Sequence, residues 1–202
     1  MSIWELPKKL EVGGEYWDIR WDYRPCLDCM LALGDRELDN VDKGDVVCRI
    51  LYIDWKIIYD RGLCVEAIKA AYRFLSCEKQ EITGQRTPPS LVNWRYDAPM
   101  IFAAINSKRE KDVREVKEMH WWTFMGLYSE IHEGTFATVC GIRYKKSRGI
   151  KLEKHERKYM SEHPEYFVDH GTIDAYLQEY IDLLGGGEDG EKQLEHKAVQ
   201  SD

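Results

Sequence analysis

Cys26-Leu27-Asp28-Cys29, and His120 beside Trp121 and Trp122, are the residues of this chain whose types and spacing suit chemistry. Two thiols at this spacing can share a tetrahedral zinc ion or cycle between dithiol and disulfide. A closed zinc site needs a second ligand pair at comparable spacing, however, and none follows. Set behind Pro25 and ahead of Met30-Leu31-Ala32-Leu33, the cysteines fall on one face at the start of a helix, which reads as packing. A buried imidazole with a carboxylate can shuttle a proton, and His120 is the histidine best placed for that. The plainer reading is a ring that bridges core and surface, or binds a backbone carbonyl. No glycine-rich phosphate loop, nucleophile elbow or paired metal-binding histidines appear. The pattern specifies no enzyme, no cofactor and no metal.

Positioning those residues takes a fold, and 202 residues, of which 44% are hydrophobic and 32% charged, suffice for a compact domain with its own core. A formal net charge of −7 argues against a general affinity for nucleic acid or anionic membrane, since both attractions need a positive surface. The amino terminus lacks the basic start and apolar stretch of a secretory signal, and no apolar run approaches membrane-spanning length. Six cysteines spread through apparent helices read as reduced thiols, so the protein is expected to work in the cytoplasm where it is made.

The first element is a hairpin over Lys9–Ile19, because Gly13-Gly14 tolerates the positive φ values of a tight turn. Placing Val12 opposite Glu15 sets Leu10 against Trp17 and Lys9 against Asp18, with Leu10, Val12, Trp17 and Ile19 on one apolar face. Helical periodicity follows over 25–33. The apolar stretch 46–58 is ambiguous, its β-branched residues suiting a strand and its spacings favouring a helix, and a clear helix covers 62–77. Residues 78–93, with Thr87-Pro88-Pro89-Ser90, read as an irregular connection and a possible subdomain junction. Asp97 is placed to cap a helix with Pro99 in its first turn and Ile101–Ile105 buried almost all round. Lys108–Lys117 reads as charged surface, a helix extension or a link. A helix begins at Gly134-Thr135, and Thr172 caps a last one whose stripe of Ile173, Tyr176, Leu177, Tyr180, Ile181 and Leu184 ends at Gly185-Gly186-Gly187. The expected architecture is mainly α: a compact helical domain over 1–184 with a small N-terminal β-hairpin, then a flexible acidic tail over 185–202.

Between these lies Met119-His120-Trp121-Trp122-Thr123-Phe124-Met125-Gly126-Leu127-Tyr128. Successive helical residues turn by about 100°, so two adjacent tryptophans cannot share one face. With Trp121 in the core, Trp122 lies on the flank. One explanation is a helix buried on two sides; the sharper one is a partner site built on Trp122 with Met119 and Gly126. Residues 143–158 form a basic island, with Arg143, Lys145 and Lys146 among eight cations against Glu153 and Glu156. Such a run is usually a solvated face, and its other use is to dock an acidic partner.

The order and type of these segments resemble the bacteriophage gene-product-fifteen family of tailed phages. The resemblance covers about residues 8–165 and rests on Trp21-Asp22-Tyr23-Arg24, Tyr96-Asp97-Ala98 with Ile101-Phe102-Ala103-Ala104, Met119-His120-Trp121-Trp122-Thr123-Phe124 and Gly141-Ile142-Arg143-Tyr144. The His-Trp-Trp-x-Phe element is its most specific part. After Ile105, where that family tends to an aromatic-rich segment, this chain has Asn106-Ser107-Lys108-Arg109. The resemblance implies a non-catalytic tail assembly chaperone that works in the host cytoplasm, is absent from the finished virion, and binds the tape-measure protein. The tail-tube protein and further copies of itself are additional candidate partners. On that reading Met119, Trp122 and Gly126 contribute to a groove, while Arg143, Lys145 and Lys146 orient acidic partners. The alternative is a structural virion component, a tail-tube or tail-completion subunit.

Overall fold

The computed structural model describes residues 5–35, 37–78 and 91–168. The helix expected after Thr172, the tail over 185–202 and most of the 78–93 connection lie outside them.

Gly13 and Gly14 stand at φ +61° and +77°, the left-handed pair that closes a tight turn between β1 (Lys9–Val12) and β2 (Glu15–Asp18). The register pairs Lys9 with Asp18, Leu10 with Trp17 and Val12 with Glu15, as the alternation requires. Leu10, Val12, Trp17 and the following Ile19 are buried. A Cβ at position 13 would also stand 2.9 Å from Leu63 Cδ2, so the end of that leucine would have to shift to admit it.

Asp22 opens α1 (Tyr23–Leu33) by accepting a hydrogen bond from the Arg24 amide, and Asp39 opens α2 (Asn40–Leu51) by accepting one from Asp42. The ambiguous stretch 46–58 is divided. Its first part completes α2. Tyr52 is extended and bridges to Ile19, Ile53 N–H bonds to Asp18 O, and the chain becomes helical again in α3 (Trp55–Asp60). Strand and helix signals overlapped there because the hairpin borrows two residues between two helices. Next come α4 (Cys64–Leu75), α5 (Ala98–Asn106), α6 (Trp121–Ser129), α7 (Gly134–Ser147) and α8 (Lys154–Glu162), with single 3-10 turns at Val113–Glu115 and Pro164–Phe167. The described residues are thus mainly α, with one two-stranded hairpin, as expected.

α1 packs on α2 and α6, α4 on α2 and β1, and α5 on α6 and α7. One expectation needs correction, and one open alternative is decided. Helix α5 is not buried all round: Ile101 and Ile105 are inside, Phe102 is half-buried and Ala103 is exposed, because its neighbours cover only one side. The segment 108–117 does not extend that helix. It is a link whose 3-10 turn is held by Asp112, which accepts from the Arg114 amide, and by Asn106 Oδ1, which accepts from the Val113 amide at 2.9 Å. No helix among the described residues is long and apolar enough to cross a membrane.

Candidate functional site

Helix α6 begins at a hub of aromatic rings. His120 is its N-cap: Nδ1 accepts from the Trp122 amide at 3.1 Å, which leaves the proton on Nε2, and Nε2 donates to Pro7 O at 2.8 Å. The ring stacks on Trp21 and meets Phe74 and Trp122 edge-on. Burial holds its pKa below the ordinary imidazole value; the Pro7 carbonyl opposes that shift and nearby Lys8 adds to it. A carbonyl, an amide and aromatic faces surround this imidazole, the arrangement of a neutral structural histidine rather than a proton shuttle. Around it the backbone is stitched: Tyr23 N–H bonds to Met119 O, and Trp121 N–H to Trp21 O.

The adjacent tryptophans answer one structural need. Helix α4 ends at Leu75, and the last carbonyls of a helix have no partner within it. Trp121 Nε1 donates to Leu75 O and Trp122 Nε1 to Phe74 O, each at 2.9 Å; Phe74 O also accepts from the Cys77 amide, so Trp121 supplies a partner to one carbonyl and Trp122 a further donor to the carbonyl before it. Burying an indole removes roughly 200 Å2 from water, worth several kcal/mol at about 25 cal/mol per Å2, against about 1 kcal/mol net for a hydrogen bond. Burial therefore holds the pair, and the N–H groups aim it.

The residues expected to form a partner site are mostly accounted for inside the molecule. Met119 is buried, and Trp122 is half-buried, stacked on Phe74 as well as bonded to it, so neither is a spare flank. Arg143 is not part of a solvated face. Its guanidinium grips the Asp97 carboxylate at 2.6 and 2.9 Å and also donates to Leu91 O and Tyr166 O. Asp97, at the N-cap position of α5, makes no side-chain cap; its carboxylate takes Arg143 and the Asn93 amide instead. Lys145 bonds Glu156 at 2.6 Å, raising its own pKa and lowering that of the glutamate, and Glu156 in turn completes the capping box of α8 with Glu153. Only Gly126 and Lys146 of the expected set stay exposed.

Cys26 and Cys29 are fully buried, and burial pushes the Cys26 thiol far up and the Cys29 thiol up to about 12. Neither is suited to ligating metal or exchanging disulfides. No cluster of three or more histidine, cysteine, aspartate or glutamate side chains able to hold a metal ion occurs among the described residues.

An open apolar groove of about 450 Å3 lies elsewhere, between α1 and α5. Leu27 and Leu31 form one wall, one helical turn apart; Ala98, Ile101 and Phe102 form the other; Tyr23, Trp94 and Phe124 also line it. Its charged lining residues are Arg24, Arg95, Arg114 and a single acid, Asp28. The Asp22 carboxylate fixes Arg24, whose guanidinium also spans to Val116 O at 2.6 Å; Asp112 fixes Arg114. Sequence reasoning missed this groove. Its local signal was that α1 carries Leu27 and Leu31 in addition to the Cys26, Cys29, Met30 and Leu33 that its buried face requires.

Fold and hub together define a small, mainly helical domain organised around one aromatic junction. The family model described as Bacteriophage Gp15 protein matches residues 3–167, and the chain belongs to that family. No curated protein matches it, and no solved structure does.

Proposed function

We propose that this phage protein is a non-catalytic tail assembly chaperone that shields the tape-measure protein during tail morphogenesis in the host cytoplasm. A tape-measure chain is long and helical, and its apolar stripes lack cover until the tail tube encloses them. The observation that carries the reading is the groove of Leu27, Leu31, Ile101 and Phe102 with its arginine margin, the geometry that accepts the apolar face of a helix. Membership of the Gp15 family supports the phage setting. Lys146, exposed at the end of α7, is available to orient an acidic segment, and Gly126 leaves α6 open to close approach.

Co-expression with the tape-measure protein of the same phage tests this. The double variant Leu27→Ser, Leu31→Ser is expected to lose co-purification while keeping a cooperative unfolding transition. Lys146→Glu is expected to weaken capture at low salt only. Undiminished capture by the groove variant refutes the assignment of this face. Mass spectrometry of finished particles addresses the role: absence of the protein agrees with a chaperone, and many copies per particle point to a tail-tube or tail-completion subunit.

A further inference from the structure

We propose that the α1–α5 groove admits an amphipathic partner helix in one direction only, chosen by an acid on one wall and a base on the other; that the occupant is a helix rests on the function proposed above. Helices α1 and α5 each pack on α6 and less on one another, so the groove stands where a fourth helix completes a bundle. Phe124 of α6, closed off from solvent, lies at its base. Along α1, Arg24, Leu27, Asp28 and Leu31 fall three or four apart and turn one stripe toward the groove. The other wall repeats the pattern with Arg95, Ala98, Ile101 and Phe102. From Arg24 to Leu31 the stripe rises by about 10 Å, or two turns. An occupant that fits it carries apolar residues at i, i+3 or i+4, and i+7.

The unpaired charges set the direction. Arg24 is closed by Asp22 and Arg114 by Asp112, neutral pairs that favour neither flank of an incoming helix. Asp28 on the α1 wall and Arg95 just ahead of α5 are exposed, and neither has a partner of opposite charge among the described residues. A helix seated over Phe124 shows one flank to each wall, and turning it end for end exchanges the flanks. A cation beside Asp28 with an anion beside Arg95 attracts at both walls, whereas the reversed helix sets like charges together at both. The occupant is therefore a helix with an apolar stripe bordered by cations on one side and anions on the other.

Two synthetic peptides of about 20 residues, long enough to sustain a helix, test this on the full-length protein. Both share one apolar stripe and one composition; glutamates line one flank and lysines the other in the first, and the second has these flanks exchanged. Each carries a benzophenone at its N-terminus, and cross-links are mapped by mass spectrometry. The two peptides are expected to cross-link at opposite ends of α1, each with a preference of about tenfold at low salt that shrinks as salt is added. The charge-reversed protein, Asp28→Lys with Arg95→Glu, is expected to exchange the two ends. Cross-links at the same end for both peptides overturn the proposal, as do ends that fail to exchange in the charge-reversed protein while it keeps a cooperative unfolding transition. Failure of both peptides to bind overturns it as well. The tape-measure reading is separated by the capture experiment above. Oriented peptides with undiminished capture by Leu27→Ser, Leu31→Ser remove the tape-measure protein as occupant and leave the direction intact; lost capture with unoriented peptides does the opposite.

Discussion

Replacing Arg143 by leucine should be among the most damaging single changes available outside the aromatic hub. Asp97 is 1% exposed and the Arg143 side chain 18%, so the bidentate pair is shielded from water mainly on the carboxylate side. Leucine leaves that carboxylate unpaired in the interior, for which a loss of about 3–5 kcal/mol is typical. It also strips the donor from Leu91 O and Tyr166 O, at about 1 kcal/mol each where water cannot replace it. The remaining exposure of the arginine lets water in, so the lower end, about 3 kcal/mol, is expected. For a chain of this size that lowers the melting temperature by about 6–12 °C. Urea unfolding of Arg143→Leu, Asp97→Asn and the double variant forms a cycle with an expected coupling of about 2–3 kcal/mol. Arg143→Lys should recover little, since one ammonium cannot reproduce a fork that reaches a carboxylate and two carbonyls. A loss below about 1 kcal/mol for Arg143→Leu, the value of an exposed ion pair, would refute the reasoning and return residue 143 to the solvated surface.

Trp122→Phe keeps most of the stacking on Phe74 but removes the indole donor to Phe74 O; a loss of about 1 kcal/mol in urea unfolding is expected, and no loss would mean that the Cys77 amide alone satisfies that carbonyl. His120, with its pKa held below the ordinary value of 6.5, stays neutral in the fold while the unfolded chain takes a proton first as pH falls. Its contribution is therefore complete above about pH 6.5 and declines on acidification toward the folded-state value. Urea midpoints of wild type between pH 7.5 and 5.5 should show that decline, and His120→Asn, which retains an N-cap acceptor, should flatten it. Burial raises the thiol pKa of Cys64 and Cys140 as well as of Cys26, Cys29 and Cys48, but only the last three are closed off from solvent, so a disulfide reagent at mild alkaline pH should label those three only in urea and confine any slow native-state reaction to the part-exposed Cys64, Cys77 and Cys140. Native labelling of Cys26 or Cys29 would show α1 opening far below the global unfolding energy.

Local chemistry was legible in the sequence, and pairing at a distance was not. The hairpin register followed from a Gly-Gly turn and an alternation of period two, both contained within a few residues. Helices α1, α4, α6 and α7 followed from spacing and breakers, and the packing of Trp121 and of the two buried cysteines from residue type. Asp97 and Arg143 were misread for one shared reason. An aspartate ahead of a helix looks like a cap and an arginine in a basic run looks solvated, yet each finds the other 46 positions away. For Trp122 the sequence left packing on a second side and a partner site both open, since its partner carbonyl belongs to another helix, 48 positions upstream. The groove depends on how far α1 and α5 stand apart, which no single helical pattern encodes.

The tryptophan pair also dictates when the molecule can become itself. Pro7, Trp21, Phe74 and Leu75 present oxygens whose donors, on His120, Trp121 and Trp122, leave the ribosome much later. A nascent chain halted before residue 120 can pack the hairpin, α1, α2 and α4 on one another, but it exposes the greasy surfaces the hub would have sealed. Sealing of the hub is thus a late event in synthesis.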